Sequence, residues 1–199
     1  MAIQINGNGT ITGISSGGLP AGTVTSATLA AGTVSSGLPS GSVIQTKFVN
    51  DTSSSATLQQ STSGAWEDLG SLSVNITPSA ASSKILVLAH TCLSEQTTDY
   101  GIWFRILRGS TPLVGATSGS RTAISFGNSN SGSYFDDKLV SSDFSYVDAP
   151  STTSAVTYKV QAVNRYSPHQ WAYNRSHDGA NNASQGQGVS TLTLMEIKG

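Results

Sequence analysis

The sequence predicts an all-β protein, an antiparallel β-sandwich or jelly-roll knob that follows a Gly-rich, non-helical stem. Three observations predict this fold class. Apolar and polar residues alternate in several short runs, as they do in strands with one buried face. Clusters of Gly, Pro, Ser and Asn separate these runs, as turns would. The spacing of an amphipathic helix, i, i+3, i+4, i+7, is nowhere sustained over three turns.

The first element is a stem over residues 1–43, and no charged side chain precedes Lys47. A free linker does not need aliphatic residues at regular intervals, and widely spaced ones bury too little apolar surface to order a single chain. We therefore expect identical chains to intertwine as a homotrimer around a shared axis. The side chains predicted on this axis recur every four or five residues: Leu19, Val24, Leu29, Val34, Leu38 and Val43.

The second element is the knob, residues 44–199, whose alternation predicts eight to ten short strands. The last of these runs covers residues 189–197 and reads as a strong strand. We predict that it lies centrally and closes the sandwich with the end of the chain. The other clear runs are 72–76, 84–91, 102–107 and 156–160.

Composition restricts the classes of function. Only 11% of residues are charged and the net charge is −1. The sequence therefore lacks the basic patch with which a protein binds nucleic acid or a membrane surface. Roughly 28% of residues are Ser or Thr, well above ordinary usage, and such a surface is typical of adhesive or virion proteins. We find neither a secretory signal nor an apolar run near the ~20 residues of a membrane helix. A virus component assembled in the host cytoplasm fits these features.

Few residues suggest chemistry. Cys92 is the single cysteine, which excludes an internal disulfide, and its strand-like neighbours predict a small buried side chain. Residues 13–17 have the form of a nucleophile elbow but lack the flanking strand and helix. We expect no catalytic residue, no cofactor and no metal site. The pair His177-Asp178 comes nearest to an axial metal ligand, and Asp136-Asp137 reads more simply as a solvated turn.

The segment 165–188 is long for a loop and mixes aromatic, amide, imidazole and guanidinium groups. Long loops in compact domains are often functional. Aromatic faces stack on sugars while amides bind hydroxyl groups, so this composition predicts contact with a host glycan through Trp171, Tyr173, Asn174 and Arg175. The alternative is that Trp171 and Tyr173 form a short strand packed in the core or at a subunit interface.

Several segments together resemble a family of tailed-phage virion proteins, common among marine and cyanobacterial phages and usually described as fibre or structural proteins. The resemblance covers residues 41–199, and residues 69–87 are its most specific part. It implies a trimer with an N-terminal anchor and stalk and a C-terminal sandwich like the tumour necrosis factor jelly roll. It transfers no catalytic or ligand residue. The segments are 41–45, 69–79, 82–87, 154–161 and 192–197.

We therefore expect a phage tail or head fibre. Its N-terminal segment would dock on a capsid, portal, adaptor or tail protein, and its knob would meet the host surface. The alternative within virus particles is a capsid decoration or cement protein that stabilises the head shell. A glycan depolymerase would need paired carboxylates in a groove. The closest acidic pair, Asp136 and Asp137, points two ways on a strand, so we do not expect an enzyme.

Overall fold

The computed structural model describes the larger part of the knob and short pieces of the stem. Every regular element within the described residues is a β-strand, which confirms the predicted all-β fold. No helix in this part of the chain has the length and apolarity that a membrane crossing needs. The described residues are 4–5, 11–12, 38–54, 59–60, 65–95, 101–128, 139–164, 170–176, 183 and 185–199.

The chain divides into two units, residues 1–39 and residues 40–199. The division falls four residues before the predicted end of the stem, because Gly41 and Ser42 hydrogen-bond to the backbone of Lys198 in the second unit. In the first unit, β1 (Gln4–Ile5) pairs antiparallel with β2 (Ile11–Thr12). The predicted axis residues Leu19, Val24, Leu29 and Val34 lie outside the described residues.

The second unit contains eleven strands within its described residues, against the eight to ten predicted. The additional strands include β4 and β9, which are two residues long and too short to show alternation. The strands are β3 (Val43–Asp51), β4 (Gln59–Gln60), β5 (Glu67–Ile76), β6 (Lys84–Glu95), β7 (Ile102–Arg108), β8 (Thr111–Leu113), β9 (Phe126–Gly127), β10 (Val140–Asp148), β11 (Val156–Asn164), β12 (Gln170–Tyr173) and β13 (Ser190–Ile197).

The strands form two antiparallel sheets. In the six-stranded sheet, β6 lies centrally, with β10 along one side and β13 followed by β12 along the other. The edge strand β3 pairs with β13, so the last strand is central, as predicted. The five-stranded sheet has the order β5, β11, β7, β8, and β9 also pairs with β7. Along β5 and β13, buried residues alternate with more exposed ones, as the period of a strand with one hidden face requires.

The core fills the space between the sheets. Ile85, Val87 and Leu194 of the six-stranded sheet are buried against Phe104 and Tyr158 of the five-stranded sheet. A row of stacked aromatic rings closes the side where β9 meets β10: Phe104 and Phe126 have ring centroids 4.7 Å apart, and Phe126 and Phe144 are 5.3 Å apart. Offset stacking adds a modest energy to the area that these rings bury.

Three buried carboxylates tie the ends of strands together. Tyr158 donates its hydroxyl to Asp148 at 2.6 Å, and Arg108 lies 2.8 Å from the same carboxylate. Glu196 accepts hydrogen bonds from Gln45 Nε2 at 2.6 Å and from the Ser79 amide at 2.6 Å. The third, Asp51, accepts a hydrogen bond from the Ser71 amide at 2.8 Å. Because each carboxylate is hydrogen-bonded, its burial is tolerated.

Candidate subunit interface

The outer face of the six-stranded sheet carries many apolar side chains. Ile85, Val87 and Ala89 of β6 point into the core, so Leu86 and Leu88 between them point outward. Side chains that pair directly across antiparallel strands share a face, which places their partners on β3, β10 and β13. We call the following seven side chains the apolar face: Val43, Phe48, Leu86, Leu88, Val147, Met195 and Ile197.

The apolar face stays in contact with water in the single chain. Phe48 is 65% exposed, Val43 is 52% exposed and Val147 is 50% exposed, while the other four side chains are half-buried. Met195, Leu86 and Val147 lie side by side in one cross-strand row. A contiguous apolar patch on a soluble domain indicates an interaction site.

The outer face of the five-stranded sheet is different, and we call it the polar face. Lys159 Nζ lies 2.9 Å from the Asp68 carboxylate, and Gln161 Nε2 donates to Asp68 at 2.6 Å. The hydrogen bond from Lys159 holds the pKa of Asp68 below its usual value. Arg105 donates to Gln161 at 2.8 Å and stacks over the Trp66 ring at 4.4 Å. These groups satisfy one another's hydrogen bonds, and Trp103, Leu107 and Val163 lie on the same side of the sheet.

One of the predicted axis residues lies on the apolar face. Val43, the last predicted axis residue, is the first residue of β3 and pairs with Ile197 of β13. Leu38 is half-buried. Of the six residues predicted on a shared axis, these two are described, and Val43 belongs to the apolar face.

Polar groups form a row at one end of the apolar face. Asp143 on β10 lies opposite His90 on β6, with 2.7 Å between the carboxylate and Nδ1. His90 Nε2 is 3.3 Å from the Cys92 sulfur. A carboxylate, imidazole and thiol in this order resemble a nucleophile with its base. However, the thiol is buried beneath Gly188, where a Cβ would lie only 2.9 Å from Sγ. The row therefore fixes the imidazole ring and does not present a nucleophile.

The residues predicted to contact a glycan lie mainly inside the protein. Trp171 is 1% exposed, Tyr173 is 4% exposed and Asn174 is fully buried, whereas Arg175 is half-buried. Trp171 and Tyr173 belong to β12, which pairs with the end of β6. The expectation of an outward aromatic cluster is corrected: β12 extends the six-stranded sheet, and Trp171 and Tyr173 enter the core.

Asn174 and Tyr173 hold a buried polar network around Asp51. Tyr173 donates its hydroxyl to Asp51 at 3.0 Å. The Asn174 amide donates to the carbonyls of Asp51 and Ser53, each at 2.8 Å, and accepts from Ser190 at 2.6 Å. Asn174 has a φ of 54°, a left-handed conformation that Asn tolerates better than most residues. The network joins β3, β12 and β13.

Gly70 is required where β5 crosses this network. Its φ is 52°, and a Cβ there would lie 2.5 Å from both Asp51 Oδ2 and Tyr173 Cε1. Burial raises the pKa of Asp51, but hydrogen bonds from Ser53 and Ser71 outweigh this effect and lower it to about 2. Burial and the bond to Asp51 raise the pKa of Tyr173 above its usual value. The segment therefore serves the architecture of the sandwich.

Cys92 is confirmed as a buried residue on a strand. The pairs His177-Asp178 and Asp136-Asp137 lie outside the described residues. Within the described ranges, no group of three or more His, Cys, Asp or Glu side chains is placed to hold a metal ion.

Sequence reasoning missed the apolar face, although one signal for it was present. Residues 85–89 form an uninterrupted apolar run. Such a run is typical of a strand covered on both faces. The core covers one face of β6, and the second face is the one left open in the single chain.

Comparisons with known proteins were made for the whole chain. No family model matches it, and no curated protein matches it. Among solved structures, the chain is similar to a structure of infectious bursal disease virus, Gx strain, with 12% sequence identity and a TM-score of 0.37. The match covers 79% of this chain and 43% of that chain, so the present chain spans less than half of the viral one.

Proposed function

We propose that the chain is a structural protein of a virus particle, a short homotrimeric fibre. Its N-terminal segment docks on another virion protein, and its sandwich faces the host surface. The observation that carries the proposal is the apolar face, which is exposed in one chain and joins the predicted stem at Val43. In a trimer, this face turns toward the axis and the polar face turns toward water.

The energetics favour association through the apolar face. Burying a large apolar side chain completely contributes about 1.5–3 kcal/mol. Phe48, Val43 and Val147 have the most surface left to bury, and the four half-buried members add less. The cost of association is about 4–15 kcal/mol. Seven side chains on each copy therefore supply a driving force of the same order as this cost, and the stem aliphatics would add to it.

An enzymatic role has less support. A depolymerase needs two carboxylates that face one groove. Asp51, Asp148 and Glu196 are buried and hydrogen-bonded within the chain. Asp68 is paired with Lys159 on the polar face. A decoration or cement protein would use the same trimer, and its position on the particle would distinguish it from a fibre.

The oligomeric state tests the proposal first. Three chains of 20.5 kDa give a particle of about 61.5 kDa by light scattering. Val147→Asp places a carboxylate in the apolar face, where desolvation costs several kcal/mol, and we expect this variant to shift toward 20.5 kDa. Ser73→Asp on the polar face is the matched control and keeps the trimer mass. A stable monomer of the unaltered chain would refute the trimer.

The location of the protein tests the virion assignment. An antibody raised against residues 40–199 should label purified virus particles in electron micrographs at an appendage. Label distributed over the head shell would favour a capsid decoration protein over a fibre. Particles that carry no label would refute a virion role.

A further inference from the structure

Phe48 is the most exposed large apolar side chain among the described residues, at 65%. It lies in the middle of β3, an edge strand of the six-stranded sheet. An exposed ring at the centre of a strand contributes little burial free energy to the fold of its own chain. A neighbour that covers the ring would supply this free energy.

The same face contains a groove of about 290 Å³ that runs from Thr191 of β13 across β6 to Ser145 of β10. Leu88 provides an apolar wall, while Ser145 and Thr191 have small side chains that leave space on the surface of the sheet. His90 and Asp143, already bonded to each other at 2.7 Å, close one end. A cavity on the order of 150 Å³ holds a benzene ring, so a phenyl ring fits this groove.

The ring and the groove occupy one cross-strand row. Phe48 pairs with Thr193, Thr193 pairs with Leu88, and Leu88 pairs with Ser145. Three strand spacings, about 14 Å, separate Phe48 from Ser145 at the far wall of the groove. Phe48 is 65% exposed, so it does not fill the groove of its own chain. An exposed ring on the edge strand and a groove centred on β6 allow a head-to-tail contact between copies, and such contacts close into a cyclic oligomer when the rotation permits.

We propose that Phe48 of each copy inserts into the groove between β6 and β10 of the next copy. This inference rests on the proposed homotrimer and names the contact that closes it. A second copy is the appropriate occupant because Val43, the last of the regularly spaced aliphatic residues, lies on this same face. Copies that share an axis at Val43 would bring their apolar faces together. The contact leaves the polar face free.

Cross-linking between copies tests the contact while Phe48 stays in place. In a Cys92→Ala background, whose folding is first checked by circular dichroism, one tagged chain carries Asn50→Cys and a differently tagged chain carries Ser145→Cys. Asn50 lies two residues from Phe48, and both altered residues are exposed. The mixed protein is treated with a bifunctional maleimide shorter than about 14 Å, the distance between the two edges of one sheet.

We expect a covalent species containing both tags, and placing both substitutions in one chain should give a closed three-chain species. Adding Phe48→Ser should reduce the cross-link at least tenfold. Asn50→Cys mixed with Ser73→Cys, which lies on the polar face, should give none.

Two failures are distinguishable. A trimer by light scattering without the Asn50 to Ser145 cross-link overturns this contact and leaves the proposed function standing. A chain that stays monomeric overturns both. A trimer in which Asn50→Cys cross-links only to itself indicates a symmetric contact and also refutes the inference.

Discussion

Two regions of this protein contrast most clearly: the segment 170–176 and the apolar face. The first is rich in aromatic and amide groups, and it lies inside, with Trp171 at 1% and Tyr173 at 4% exposure. The second is mainly aliphatic, and it leaves Phe48 at 65% exposure. Residue type alone would rank the two regions in the opposite order for surface contact.

The difference shows that residue composition is a weak guide to which surface is free. Trp171 and Tyr173 are buried because β12 pairs with the far end of β6 and continues the row of β13. Phe48 is exposed because β3 is an edge strand and none of the described strands packs over its outer side. Pairing between distant segments decides both outcomes.

The substitution Trp171→Ala should have the largest effect on stability of the variants that test this contrast. Removing a fully buried indole leaves a cavity, and we expect a loss of about 3–5 kcal/mol in the free energy of unfolding. Denaturant unfolding measures this loss, and Trp66→Ala on the polar face is the matched control with a much smaller effect. An unchanged unfolding curve for Trp171→Ala would contradict the burial of this residue and would support the predicted contact with a glycan.

Acid unfolding tests the network beneath the same segment. The folded-state pKa of Asp51 is lowered from its usual 3.8 to about 2, and that of Glu196 is also lowered. A lowered folded-state pKa stabilises the fold above the unfolded value and loses this contribution as the pH falls through the folded value. For Asp51 alone, we expect a loss of about 2 kcal/mol between pH 4 and pH 2. Asp51→Asn should flatten this part of the profile, and a flat profile in the unaltered protein would contradict the network.

Tyr173→Phe removes one hydroxyl and keeps the ring. Its bond to Asp51 is 3.0 Å long, and Asp51 retains donors from Ser53 and Ser71. We expect a loss of about 1 kcal/mol in unfolding free energy, measured by thermal or chemical unfolding. A loss as large as that of Trp171→Ala would mean that the hydroxyl, rather than the packed ring, supports the segment.

Phe48→Ser should have the smallest effect on the fold of one chain. At the lowest protein concentrations we expect its unfolding free energy to stay within about 0.5 kcal/mol of the parent value, as for most surface substitutions. The rise of melting temperature with protein concentration, which association produces, should weaken. Melting curves over a wide range of concentrations measure both quantities. A loss of several kcal/mol at every concentration would place Phe48 in the chain's own core.

The fold class was predictable because alternation is a local property. Leu72, Val74 and Ile76 alternate with polar residues, and all three are buried in β5. The continuous run 85–89 also indicated that β6 needs cover on both faces. The candidate interface was not predicted, because alternation states that two faces differ without stating which strands lie beside one another.

By itself, the sequence determined the strands, the central position of the last one and the burial of Cys92, since each follows from neighbouring residues on one strand. The tertiary structure alone decided that Trp171, Tyr173 and Asn174 lie inside and that Phe48, Leu86, Val147 and Met195 share an outer face. These outcomes depend on pairing between segments far apart in the chain, such as Leu86 with Val147 and Phe48 with Thr193. Local patterns carry the period of a strand, but only the ladder of hydrogen bonds between strands sets which side chains meet.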